Sequence, residues 1–361
     1  MIPFMDLKRQ YESISAEVLG AIKSVCDETA FVGGRFVDDF EKQFSAYIGA
    51  HRIVSTSNGT DALFLAYKAM GLGPGDEVIV PSTTFIATAS AVVRAGAEVV
   101  FADCDENTWE VDPKSVESLI SDRTKAITGV HLYGQPCDID ALCRISEENN
   151  LAFIEDCAQA HGARYRGQFV GTIGDIGCFS FYPGKNLGAY GDAGAVSVHD
   201  DDIACRIISL RDHGSIHKYE HDEIGYNMRM DGIQAAVLSA KLPHLDSWTK
   251  ARQHIAEEYN SRIVNPAIKI QKHYPESSSV YHLYVVEVED RKDFIDYMKE
   301  NGVSCGIHYP VACHMQPAFA DMNNDDLPNS IRHAERCVSL PMFPELEQCE
   351  LDRVIDLCNG Y

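Results

Sequence analysis

From about residue 36 to residue 200, short apolar runs alternate with amphipathic stretches. The runs Arg52–Thr56, Glu77–Pro81, Glu98–Asp103, Lys125–His131, Leu151–Asp156, Gly177–Phe181 and Ala193–Val198 have strand length. Their nearly continuous apolar character suits strands buried on both faces. Between them, Asp61–Met70, Ser82–Ala95 and Ile139–Asn149 carry helical spacing. This alternation predicts an α/β fold with a mostly parallel sheet between helices. Ligands of such sheets gather at the carboxyl ends of the strands.

After residue 200 the pattern changes. Gln234–Leu242 and Leu245–Arg262 read as helices punctuated by Pro243, Val280–Val288 as a strand, and Arg291–Asn301 and Glu345–Asn359 as helices. The expected organisation is a helical arm at 1–35, a large α/β domain at 36–244 and a smaller α+β domain at 245–361. Arms of this kind often pack on a partner subunit.

Composition narrows the function classes. At 361 residues the chain suits about two domains, and 45% hydrophobic with 24% charged residues is a soluble globular balance. Lys+Arg total 31 against 54 Asp+Glu, a formal charge of −23. Such a surface repels nucleic acid and anionic membranes, so neither is an expected partner. An anionic substrate then needs a locally positive site. The opening MIPFMDLKRQ does not read as a secretory signal, and no apolar run approaches the ~18 residues of a membrane span. The cysteines are scattered without a C-x-x-C pair, which points to free thiols, no metal centre and a cytoplasmic location.

Three segments carry candidate chemistry. In Ser57-Asn58-Gly59-Thr60-Asp61, a strand gives way to a helix, and Gly59 and Thr60 present free N–H groups at the positive helix end. That is a phosphate cradle, and equally the pattern of an ordinary N-cap. In Phe153-Ile154-Glu155-Asp156-Cys157-Ala158-Gln159, Asp156 ends a buried strand where it faces the ligand crevice. It either pairs with a protonated pyridine nitrogen or caps the next helix. Gln159 sits near the same face. In Ser180-Phe181-Tyr182-Pro183-Gly184-Lys185, a lysine follows a buried strand inside a Pro/Gly loop. It is suited to form a Schiff base, although a solvated loop lysine has the same surroundings. Ser180 could give its hydroxyl to a phosphate. Together, in this order, the three outweigh each separate bland reading.

These segments resemble the nucleotide-sugar aminotransferases of the DegT/DnrJ/StrS type, of the aspartate aminotransferase fold (fold type I). The resemblance runs from Pro3-Phe4-Met5-Asp6-Leu7 through Gly73-Pro74-Gly75-Asp76-Glu77 and Leu132-Tyr133-Gly134-Gln135 to Tyr226-Asn227-Met228-Arg229 and His308-Tyr309-Pro310. It implies pyridoxal 5'-phosphate as cofactor, with a pyridoxamine 5'-phosphate form. Lys185 is then the Schiff-base lysine and base, and Asp156 the partner of the ring nitrogen. Gln159 lies beside the ring near its phenolic oxygen, and Phe85 stacks on it. Gly59, Thr60 and Ser180 bind phosphate, and Asn227 reaches the phosphate of a partner subunit in a homodimer. Relatives with histidine at the position of Lys185 are dehydratases, so lysine points to amination.

The implied reaction is ping-pong: L-glutamate leaves as 2-oxoglutarate, and a nucleotide-linked keto sugar receives the amine. Similarity is strongest to enzymes acting on C-3 of dTDP-3-keto-6-deoxyhexoses, for surface polysaccharides or glycosylated natural products. UDP-linked 3-keto sugars and 4-keto sugars are the alternatives. His131, Tyr133, His161, Tyr182, Arg229, His308 and His314 are candidate substrate contacts, with Arg229 suited to grip an anion. A dinucleotide-binding oxidoreductase fails for want of G-x-G-x-x-G after the first strand. A regulator without chemistry would not need both Lys185 and Asp156.

Overall fold

The computed structural model describes residues 1–217, 219–322 and 326–361. Its main sheet has strands β1 (Arg52–Thr56), β2 (Glu77–Pro81), β3 (Glu98–Ala102), β4 (Thr124–Val130), β5 (Ala152–Asp156), β6 (Ile176–Ser180) and β7 (Gly194–Val198). Their order is β1-β7-β6-β5-β4-β2-β3. Only β7 runs antiparallel to its neighbours, pairing with β1 and β6. The expected mostly parallel α/β sheet is therefore present.

The continuous apolar runs have a direct cause. Within β2, Ile79 enters one core while Val78 and Val80 enter the other, and Phe153 and Ile154 of β5 divide the same way. Helices α1 (Leu7–Glu28), α2 (Arg35–Ile48), α3 (Gly59–Ala69), α4 (Ile86–Ala95), α5 (Pro113–Ser118), α6 (Ile139–Asn149) and α7 (Asp201–Arg211) accompany the sheet. Phe40 and Phe44 of α2 and Leu142 of α6 cover one face, and Leu63 of α3, Val92 of α4 and Ile207 of α7 cover the other. Burying both faces leaves no place for polar alternation.

Then come α8 (Gly232–Lys241) and α9 (Leu245–Arg262). A second, antiparallel sheet follows, of β8 (Ile268–Ile270), β9 (Tyr284–Val288) and β10 (Cys337–Leu340). Helices α10 (Arg291–Glu300) and α12 (Gln348–Gly360) pack on it around Tyr259, Val286, Phe294 and Val354; α11 (Pro328–Arg336) leads into β10. The expected strand 280–288 starts later, at Tyr284, because Val280 N–H bonds Gly134 O and Tyr281 adopts φ +43°.

The N-terminal segment lies on its own chain. Val18 of α1 packs with Val237 and Trp248, and Arg9 pairs with Glu350 through bonds of 2.6 and 2.8 Å. This placement brings Phe4 and Met5 to the rim of the main cleft.

Candidate active site

A cleft of about 790 Å³ opens at the carboxyl ends of β1, β2, β5 and β6. It is lined by Gly59, Thr60, Phe85, Asp156, Gln159, Ser180, Tyr182, Lys185 and His308 among the residues expected from sequence. Thr88, Arg94, His282 and Tyr309 line it too, and Phe4 and Met5 close one edge.

Lys185 sits in the turn after β6. The turn is pinned from several sides: Lys185 N–H donates to Tyr182 O and Ala189 N–H to Phe181 O, both at 2.8 Å. Asn186 Nδ2 donates to Val280 O at 3.1 Å, and the buried Lys241 amine donates to Gly188 O at 2.6 Å. The lysine is thus presented by a rigid loop. Burial pushes its amine down to about 8, against the pull of Asp156 towards the charged form. An amine so tuned is nucleophilic near neutral pH.

Asp156 ends β5, nearly buried. Its Oδ1 accepts from Ala158 N–H at 3.1 Å and its Oδ2 from Thr88 Oγ1 at 2.8 Å. Burial raises its carboxyl above the usual range, while those two bonds and Lys185 oppose the rise. A carboxylate kept in so dry a place calls for a cationic ligand group. Gln159 is also nearly buried; its Oε1 accepts from Tyr133 N–H at 2.6 Å and its Nε2 donates to Tyr309 Oη at 3.1 Å. Phe85 is half exposed to the cleft, 5.4 Å from the Tyr309 ring.

The other end is built for an anion. Asn58 caps α3 by accepting from Asp61 N–H at 2.8 Å, which leaves the N–H groups of Gly59 and Thr60 at the helix N-terminus. A side chain at position 59 would put its Cβ 2.5 Å from Ser180 Cβ, so glycine is what lets the cradle and Ser180 meet. Arg94 stands at the rim, 3.1 Å from Asp61 Oδ1. These groups fit pyridoxal phosphate: a nucleophilic lysine, a carboxylate in a dry pocket and an anion cradle share one cleft.

Six expected residues do not line this cleft. His131 is buried behind it, with Nε2 2.9 Å from Glu155 Oε2 and Nδ1 accepting from Cys137 N–H at 3.2 Å. His161 is buried between the rings of Phe179 and Phe181, at 5.8 and 5.4 Å. His314 lies beneath Ser82, its Nδ1 2.5 Å from the hydroxyl. Tyr133 is buried with its hydroxyl on the His308 carbonyl. Arg229 is held by Asp212 at 2.7 Å, and Asn227 is exposed beside the same Asp212, with which it forms an antiparallel bridge. Their common feature is that a neighbour on the same chain already occupies them or that they face away. Tyr309 and Thr88 were not singled out from sequence. Tyr309 was visible only within the His-Tyr-Pro run, and Thr88 is one of many helix threonines.

The comparisons agree with this chemistry. The chain is 43% identical, over 100% of its length and 99% of the relative's, to a dTDP-3-amino-3,6-dideoxy-alpha-D-galactopyranose transaminase of Aneurinibacillus thermoaerophilus. It is 41% identical, over 98% and 97%, to a pleiotropic regulatory protein of Geobacillus stearothermophilus. Among solved structures it superposes on DesV of S. venezuelae, crystallised with a ketimine intermediate, at TM-score 0.97 and 43% identity, covering 99% of this chain and 98% of that one. Residues 12–358 match the DegT/DnrJ/EryC1/StrS aminotransferase family. The chain belongs to that family: it is a pyridoxal-phosphate-dependent sugar aminotransferase of fold type I.

Proposed function

We propose that the protein moves the amino group of L-glutamate to C-3 of a dTDP-linked 3-keto-6-deoxyhexose, giving a 3-amino-3,6-dideoxy sugar. The observation that carries this is full-length identity of 43% to a transaminase named for such a product, in a chain whose cleft holds both Lys185 and Asp156. A regulatory role alone would leave that pairing without a purpose.

When bound, the cofactor supplies an electrophilic carbon and an electron sink. The chain supplies the rest. Gly59 and Thr60, which line the cleft with Ser180, would hold phosphate through backbone N–H groups, and Ser180 would add its hydroxyl. Phe85 would cover a ring face, and Gln159 would stand beside the ring. Asp156 would keep the ring nitrogen protonated. Lys185 would anchor the aldehyde and, as a free amine, would move the proton between the two reacting carbons. Glutamate would leave as 2-oxoglutarate with uptake of one water, and the amine would pass to the sugar ketone with release of one, so the exchange balances.

In this reading the active unit is a homodimer, in which the exposed Asn227 completes the phosphate site of the partner. Tyr182 and His308 contact the sugar at the mouth. The setting is cytoplasmic, and the product feeds surface polysaccharide or glycoside assembly. The test is incubation of the holoenzyme and glutamate with dTDP- and UDP-linked 3-keto and 4-keto sugars, products being read by mass and NMR. A 3-amino product from the dTDP sugar alone is expected. Turnover only of a UDP sugar or a 4-keto sugar would replace the substrate and leave the chemistry standing.

A further inference from the structure

His333 on α11 is buried and lies outside the cleft. Its Nδ1 stands 2.8 Å from Glu287 Oε1 and its Nε2 2.9 Å from Tyr133 Oη. The same Tyr133 hydroxyl reaches the main-chain carbonyl of His308. That carbonyl belongs to the segment that sets His308 and Tyr309 on the cleft wall. Tyr133 also ties to the wall through Gln159, which bonds both the Tyr133 N–H and the Tyr309 hydroxyl.

A phenol has one proton to give. Burial pushes the Tyr133 hydroxyl well above its ordinary pKa, so it keeps that proton. Burial also raises Glu287, but the bond to His333 and the charge of Lys269, 3.3 Å away, outweigh this and hold it below the usual range. Glu287 therefore only accepts, and the nitrogen facing it carries hydrogen. With His333 neutral, Nε2 is bare and competes with the His308 carbonyl as acceptor for the single Tyr133 O–H, which weakens that tie. With His333 charged, Nε2–H donates to the Tyr133 oxygen, and the phenol proton is free for His308.

We propose that His333 is a protonation-dependent positioning residue: its charged form locks the His308–Tyr309 wall through Tyr133, and its neutral form loosens it. Other charged or titratable groups face it from the packed elements. Lys269 of β8 and Arg332 of its own helix disfavour the charge, and Glu287 of β9 favours it. Cys104 after β3 and Cys337 of β10 lie beside Tyr133, and Arg291 of α10 beside Cys337. Burial tips His333 towards the neutral form against Glu287, so the locked form gains as pH falls.

The inference rests on the cofactor site and not on the identity of the sugar. Trp109 makes it testable, because its ring is 4.6 Å from His333 and the chain has 2 tryptophans. A charged imidazole beside an indole accepts its excited electron and quenches it. In apoprotein carrying Trp248→Phe, emission should fall through one transition as pH drops. Glu287→Gln should move that transition down by roughly one pH unit or more, and His333→Asn should abolish it. In the parent protein, affinity for pyridoxal phosphate should show, superimposed on the rise that Lys185 imposes, a roughly threefold step down as pH rises through the same transition, and Tyr133→Phe should remove that step. A transition untouched by Glu287→Gln and His333→Asn would overturn the proposal. So would an affinity step that survives Tyr133→Phe. A protein that never binds pyridoxal phosphate would instead contradict the cofactor site, with the Trp109 titration still deciding whether His333 switches.

Discussion

Thr88 Oγ1 donates a 2.8 Å hydrogen bond to Oδ2 of Asp156, so the first turn of α4 fixes the carboxylate at the end of β5. Thr84 lies behind, its hydroxyl 2.8 Å from that of Thr88. The carboxylate is thereby oriented before any ligand arrives. Asp156→Asn should keep the fold and the Schiff-base absorption yet lower turnover on the order of 10²–10³-fold, since a neutral amide cannot hold a ring nitrogen protonated. Thr88→Val should cost roughly tenfold, by leaving the carboxylate free to turn. Steady-state rates with glutamate and keto sugar measure both. Equal losses in the two variants would contradict this ranking.

Gly59→Ala tests the phosphate cradle. The new Cβ would meet Ser180 Cβ at 2.5 Å and force α3 and β6 apart where their groups must converge. Affinity for pyridoxal phosphate should fall by more than about tenfold, the equivalent of losing one charge-assisted hydrogen bond. An absorbance titration of apoprotein reads it, with circular dichroism confirming the fold.

Glu155 neighbours Asp156 in sequence but serves the fold. It accepts from His131 Nε2 at 2.9 Å and from the N–H groups of Gly171, Ile173 and Gly174 at 2.8, 2.9 and 2.8 Å. Burial raises its carboxyl, but these bonds outweigh burial and hold it below the ordinary value of 4.5. A depressed carboxyl stabilises the fold above its unfolded pKa, and this contribution is lost as pH falls through the folded one. Glu155→Gln should therefore destabilise by about 3 kcal/mol near neutral pH. The gap from wild type in urea unfolding should narrow below 4.5. An unchanged gap in acid would assign the loss to packing.

Lys185 carries a pH signature of its own. Its amine is protonated below about 8 and free above it. The rate at which apoprotein captures pyridoxal phosphate should rise with pH up to about 8 and then level off. Asp156 raises that value, so Asp156→Asn should shift the midpoint downward. A midpoint moving upward would contradict the placement of the two charges.

The readable parts of the sequence were those with one physical solution. β1, β2, α6 and α9 fall at the expected residues because apolar runs and flanking breakers leave few options. The helix expected from Ser82 begins instead at Ile86, since Ser82–Phe85 are needed as a loop that brings Phe85 to the cleft. The antiparallel β7 was invisible, because a buried strand reads the same in either direction. The short β8 and the hairpin of Arg164–Tyr165 with Gln168–Phe169 gave too few residues for a period. In the site, Lys185, Asp156 and Gly59 line one cleft, a convergence that their combined motifs let the sequence anticipate. Of the histidines, His308 reaches the cleft as expected but His131, His161 and His314 do not: His131 follows β4 just as a cleft residue would, yet its ring turns to Glu155. Which way a polar side chain at a strand end turns depends on partners distant in sequence.

The most direct test of Lys185 as the amine carrier is one absorbance experiment on the holoenzyme in both directions. Wild type should show a band near ~410 nm that glutamate bleaches and that a dTDP-linked 3-keto-6-deoxyhexose then restores, while Lys185→Ala shows neither change. A Lys185→Ala protein that still cycles between the two spectra would contradict the central assignment, as would a wild-type band indifferent to glutamate and to every keto sugar.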